Sequence, residues 1–155
     1  MEYPPLVQGL TPALYRDRFE RTYCRGPIAT FDGILVRFRK SNFNHAFFES
    51  TSKAERNNVF SFRRAERVDW IKAALQDPDA ELYVGVDTKR QIRSMKRRVA
   101  VVKGDYVVVI AITEPGKADF ITAFVDTGPL PGRNFSSIEM IRMNPRWPTS
   151  AKKDR

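Results

Sequence analysis

Lys96–Thr127, KRRVAVVKGDYVVVIAITEPGKADFITAFVDT, decides how the rest of the chain is read. It carries three apolar, β-branched runs, Val99–Val102, Tyr106–Thr113 and Phe120–Val125. Lys103-Gly104-Asp105 separates the first pair and Glu114-Pro115-Gly116-Lys117 the second. Short glycine-containing spacers between such runs predict a three-stranded antiparallel meander. The middle run is apolar throughout, which suits an inner strand covered on both faces. In the third, alternation puts Phe120, Thr122 and Phe124 on one face and Ile121, Ala123 and Val125 on the other. Thr122 is then a hydroxyl between two phenylalanines. It reads either as a strand former satisfied locally or as a functional donor.

Toward the N-terminus, Lys89, Arg90, Arg93, Lys96, Arg97 and Arg98 place six cations and no acid within ten residues. This is a solvated basic turn or, on the lip of a sheet, a track for phosphates. Glu81–Asp87 before it reads as a strand. Ser61 can cap a helix over Phe62–Gln76, which Asp77-Pro78 ends. Its buried stripe is Phe62, Ala65, Val68, Ile71 and Leu75, flanked by Trp70 and Ala74. Arg63 and Arg67 share another face one turn apart, with Arg64 adjacent. They form a mixed solvated face offset by Glu66 and Asp69, or a group of arginines poised for a phosphate.

Residues 41–60 are rich in Ser and Asn, hold the chain's one histidine, His45, and read as loop with at most one helical turn. Ile34–Arg39 reads as a short strand. Thr11-Pro12 is an N-cap followed by proline at the first helical position, opening a helix that runs to about Tyr23. Gly26-Pro27 lies beyond its end. After Thr127 come a GPLPG loop and a short strand or helical turn over Ser136–Met143. Helices first and an antiparallel sheet after predict an α+β fold.

The totals narrow the function. A chain of 155 residues, 42% hydrophobic with eleven Phe, suits one globular domain. No apolar run approaches the roughly 20 residues needed to span a bilayer, and the N-terminus lacks the pattern of a secretory signal. The single cysteine, Cys24, excludes an intramolecular disulfide, suits a cytoplasmic setting and, with a single histidine, leaves no His/Cys metal cluster. Lys and Arg number 27 against 18 acids, a net charge of +9, which points to a polyanionic partner, nucleic acid before membrane.

There is no phosphate-binding glycine loop, dinucleotide fingerprint or nucleophile elbow. One histidine, many arginines, a strand threonine and scattered carboxylates remain, and these suffice for metal-independent RNA cleavage without a cofactor. There the substrate brings its own nucleophile, the 2′-hydroxyl. The protein must supply a base, an acid and cations for the charge developing on phosphorus. His45 can take either proton-transfer role, and Glu49, four residues on, is a second group. The bland alternative for His45 is a structural histidine among Phe43, Phe47 and Phe48.

The succession FNHAFFES, RRAERVDWIKAALQDPDAEL, RRVAVV, DYVVVI, DFITAFV and IRMNPRW, over about residues 37–147, resembles phage- and plasmid-borne members of the barnase/EndoU/colicin/RelE-like ribonuclease superfamily. The resemblance implies α+β architecture with N-terminal helices packed on a four- to five-stranded antiparallel sheet. The chain then reads as a single nuclease-like domain over 1–147, in which 1–30 is a helical extension with no counterpart in the family, followed by a disordered basic tail over 148–155. The resemblance also implies an endoribonuclease, in many relatives a toxin, with catalytic positions at His45, Arg67, Arg97 and Thr122. RNA contacts would come from Arg63, Arg64, Lys89, Arg90, Arg93, Lys96 and Arg98. If the chain is a toxin, an acidic antitoxin or immunity protein covering the cationic face is the expected partner. Two rival readings stand beside this one. Pro78-Asp79 with Asp87-Thr88-Lys89 matches a magnesium-dependent PD-(D/E)xK nuclease pattern. A non-enzymatic nucleic-acid binder or phage inhibitor would need the cations and aromatics but not His45.

Overall fold

A computed structural model describes residues 3–49, 58–87, 92–93, 98–129 and 134–147. The elements before the meander are α1 (Pro12–Tyr23), β1 (Ile28–Ala29), β2 (Leu35–Arg37), α2 (Asn42–Phe47), β3 (Phe48–Glu49), β4 (Val59–Phe60), α3 (Phe62–Ala65) and α4 (Trp70–Leu75). After them come β5 (Glu81–Val84), β6 (Val86–Asp87), β7 (Ile92–Arg93), β8 (Arg98–Lys103), β9 (Tyr106–Glu114), β10 (Lys117–Val125) and α5 (Ser137–Ile141).

The meander β8–β9–β10 is antiparallel throughout. Gly104-Asp105 forms the first hairpin loop and Pro115-Gly116 the second. Gly116 has a φ of 78°, the left-handed conformation required after a proline at the second position of this kind of turn. Around the meander the sheet has six strands in the order β1-β2-β10-β9-β8-β5. It is α+β as expected, but the four- to five-stranded antiparallel sheet becomes a mixed one, because β2 joins β10 in parallel. The Leu35 amide donates to the Gly116 carbonyl at 2.9 Å, docking β2 beside the β9–β10 turn. Val36 of β2 is thereby fully buried. Burial of that side chain is what makes so short a segment a strand.

Register separates the two sheet faces. Val99, Val101, Val108, Ile110, Ala118 and Phe120 pack with helix residues Tyr15, Phe19, Tyr23, Phe43, Phe47, Ile71 and Leu75 in the main core. Ala100, Val102 and Val107 face the other way, against Ile138 of α5. The first thirty residues are central to this core. Phe19 has no exposed surface and lies within ring-contact range of Tyr23, Phe38, Phe43, Phe47 and Phe120. Thr11 caps α1 as its sequence predicts, its side chain accepting from the Leu14 amide.

In β10 the pairing skips between Phe120 and Thr122, leaving Ile121 as an extra residue. Such a bulge reverses which face each later side chain takes. Phe120 pairs with Ile110 and enters the main core, whereas Thr122 pairs with Val109 and Phe124 with Val107, on the α5 face. The expected shared face of Phe120, Thr122 and Phe124 is therefore broken after its first member.

The helix expected over Phe62–Gln76 is also interrupted. Ser61 caps it as expected, but α3 ends after Ala65 and α4 begins at Trp70. Between them the Arg67 and Val68 amides bond to carbonyls three residues back, those of Arg64 and Ala65. The Arg67 guanidinium takes the Arg63 carbonyl, at 2.7 Å, that a continuous helix would give to the Arg67 amide. The tightened turn leaves Phe62 about half exposed, although Val68, Ile71 and Leu75 of the expected stripe are buried. Among the described residues no helix is long and apolar enough to cross a membrane.

Candidate functional site

Short elements bring two arginines to the end of β10. The β3–β4 ladder pairs Phe48 with Phe60 and Glu49 with Val59. The Ser61 amide then donates to the Phe47 carbonyl at 2.8 Å, so α2 ends where α3 begins. The Ser61 hydroxyl accepts from the Arg64 amide, which fixes the first turn of α3 and directs Arg63 and Arg64 from it. Arg64 reaches back toward α2. Its Nη1 donates to the Ala46 carbonyl at 3.3 Å, and its Nη2 lies 4.0 Å from Glu49 Oε1. Burial lowers the pKa of this guanidinium, with Glu49 partly offsetting the effect. It stays charged, since arginine does not deprotonate in proteins.

These groups wall a pocket of about 210 Å³ formed by Glu49, Arg63, Arg64, the chain from Phe124 to Gly128, and Ser137. Two guanidinium groups with a hydroxyl suit an oxyanion, and phosphate before carboxylate because arginine can fork two donors onto it. Asp126, in the same wall, is already engaged. Burial pushes its carboxyl up, but hydrogen bonds from the Gly128 amide, the Ser136 hydroxyl and the Ile138 amide hold it below the usual carboxylate range. Glu49 is half exposed, with Arg64 at the 4.0 Å limit of an ion pair, and its carboxylate lines the pocket beside the two arginines.

His45 is exposed on the outer side of α2, while Phe43 and Phe47 point inward, so the enclosed aromatic setting is not its environment. It stands between Asn44, whose side chain accepts from Arg16, and Ala46, whose carbonyl accepts from Arg64. Thr122 lies on the far sheet face, in one cross-strand row with Val109 and Ala100. Beyond Asp119, β10 pairs with β9 alone among the described residues. His45, on the helix that packs against the main-core face, and Thr122, on the α5 face, thus lie on opposite sides of the sheet, and neither lines the arginine pocket.

Arg67 is not part of this group. Its guanidinium stacks over Trp70, 4.8 Å from the ring, and its Nε is buried with no hydrogen-bond partner among the described residues. The side chain is engaged at the helix break, and Arg63 and Arg64 of the group line the pocket. Arg98 opens β8 and pairs with Ala111, which puts it on the same face as Thr122. Arg93 lies in β7, whose backbone pairs with β6. Arg97, Lys89, Arg90 and Lys96 lie outside the described residues, as do Lys89 of the magnesium-nuclease pattern and the 148–155 tail. Among the described residues no three His, Cys, Asp or Glu side chains gather as a metal site.

Sequence reasoning missed Phe124 and Ser137 as site residues. The one available signal was the Ser136…Glu139 capping box that starts α5 and sets Ser137 at its first turn. No family model, curated protein or solved structure matches this chain.

Proposed function

We propose that the protein is a metal-independent endoribonuclease whose scissile phosphodiester is held in the arginine pocket at the open edge of β10. The observation that carries this reading is the convergence of Arg63, Arg64 and Glu49 on one small pocket, in a chain of net charge +9. The resemblance noted in the sequence supports it, as does the position of His45 one residue before the carbonyl that anchors Arg64.

In this mechanism the substrate 2′-hydroxyl attacks phosphorus while a side-chain base removes its proton. The bond to the 5′-oxygen breaks as an acid protonates that oxygen, leaving a cyclic 2′,3′-phosphate. His45 and Glu49 are the proton-transfer pair. Arg64, with Arg63, stabilises the negative charge that grows on the non-bridging oxygens, and Thr122 donates to the substrate from the sheet face.

Incubation of the purified protein with single-stranded RNA in EDTA tests the reading. Wild-type protein is expected to release cyclic-phosphate ends, and His45→Ala and Glu49→Gln to lose about 10²- to 10⁴-fold in rate with the fold intact by circular dichroism. RNA binding without products would reduce the function to a nucleic-acid-binding module. Cleavage of DNA that requires magnesium would replace the mechanism altogether.

A further inference from the structure

A second concavity, of about 420 Å³, lies on the α5 face of the sheet, within the size range of small-ligand sites, about 300–1,000 Å³. Its floor is Ala100, Val109 and Phe124, its near wall is α5 with Met140 and Ile141, and Met143 and Asn144 form the rim. Gly85 closes the far side. A Cβ there would stand 2.7 Å from Arg98 Cβ, so only glycine lets the end of β5 come this close to β8 and shape that wall.

This groove shares Phe124 and Ser137 with the arginine pocket. A ligand filling both would therefore join an anion to a largely apolar group within one short molecule. The half-buried Phe124 ring is a surface on which such a group can stack. Asn144 is the one amide in the lining, and among the described residues its side chain makes no hydrogen bond. A carboxamide offers a donor and an acceptor together, the pattern that the hydrogen-bonding edge of a nucleobase presents in return. Met143 is 62% exposed at the rim, an apolar side chain left at the groove mouth.

We infer that the groove is a nucleobase subsite: it stacks one RNA base on Phe124, reads its edge with Asn144, and holds it beside the phosphate bound by Arg63 and Arg64. The inference rests on the nucleic-acid reading of the arginine pocket and adds to it a source of base preference, which a pair of arginines cannot supply.

The test is titration of the full-length protein with nucleoside 3′-monophosphates and, separately, with inorganic phosphate, followed by NMR of the Asn144 side-chain amide and the Met143 methyl group. Nucleotides are expected to shift both signals and to bind about tenfold more tightly than phosphate, while phosphate perturbs the arginine side alone. Asn144→Ala is expected to lose about fivefold in nucleotide affinity and to flatten the ranking of the four bases. Met143→Arg, a change at an exposed position, is expected to weaken nucleotides by blocking the groove mouth. Nucleotides that bind no better than phosphate, or that leave Asn144 and Met143 undisturbed, overturn the inference. Phosphotyrosine binding as tightly as the nucleotides also overturns it, since the groove would then accept any flat ring. The RNA assay in EDTA is read independently. Cleavage with silent Asn144 and Met143 signals defeats the base subsite alone, and nucleotide binding without cleavage defeats the ribonuclease reading alone.

Discussion

Arg64 and Arg67 have the same side chain three positions apart, and their surroundings give them different work. Arg67 bonds to its own helix and covers Trp70, so its charge is spent on local geometry. Arg64 is held from behind by the Ala46 carbonyl, which orients the guanidinium before any anion arrives. Arg64→Lys is therefore not a conservative change, because an ammonium keeps the charge but not the forked donors. Its kcat/KM on RNA is expected to fall about a hundredfold, while Arg67→Lys changes stability more than turnover. Parallel measurement of steady-state cleavage and thermal midpoint for the two variants checks this. At this scale the sequence marked the group Arg63, Arg64 and Arg67, and the resemblance implied the catalytic position at Arg67; which of them lines the pocket depends on a carbonyl of α2, eighteen residues earlier in the chain than Arg64.

Among the elements, β10 governs the site through its bulge. The extra residue at Ile121 sends Phe120 into the main core and returns Thr122 and Phe124 to the α5 face, where the groove lies. Deleting Ile121 is expected to remove the bulge while Thr122 and Phe124 keep the α5 face, because the deleted residue is the one left without a partner on β9. The loss is then expected to be that of an ordinary single change, about 1 kcal/mol, seen as a small drop in the denaturant midpoint. The strand itself was legible from its apolar run and glycine turns. The bulge was not, because a one-residue skip leaves the composition unchanged and arises from pairing with β9. The split of the expected long helix has a similar origin, a side chain competing with the backbone for one carbonyl.

In the molecule as a whole, the N-terminal segment, α4 and the meander meet over a buried ion pair. Lys103 Nζ bonds to Asp77 with both side chains almost wholly buried, and Tyr3 lies over the ammonium at 4.9 Å while stacking on Trp70. Burial pushes the Asp77 carboxyl up, but hydrogen bonds from Lys103 and from the Asp79 amide outweigh it and hold the group below its ordinary value. A carboxyl depressed in the folded state adds stability that is full above its unfolded pKa, near 4, and is lost as pH falls through the folded value. Glu81 shifts in the same direction, through hydrogen bonds from Tyr83 and Arg142. Thermal midpoints are thus expected to drop on acidification below about pH 4. Asp77→Asn should remove part of that dependence and destabilise by about 3–5 kcal/mol at neutral pH, because it takes the carboxylate away from a buried ion pair. RNA binding is expected to weaken linearly on a log–log salt plot, with a slope of about −0.7 per phosphate neutralised, and Arg98→Glu should flatten it.

The sequence by itself determined what is local. The capped starts of α1 and α3, the two hairpins of the meander, the α+β class and the cationic balance follow from neighbouring residues or from composition. Only the tertiary structure decided which face Thr122 takes, which arginine meets Glu49, and that an apolar groove continues from the arginine pocket past Phe124. The physical reason is that these depend on hydrogen bonds and packing between segments far apart in the chain. Periodicity and capping record a residue's neighbours along the backbone and carry no record of its neighbours in space.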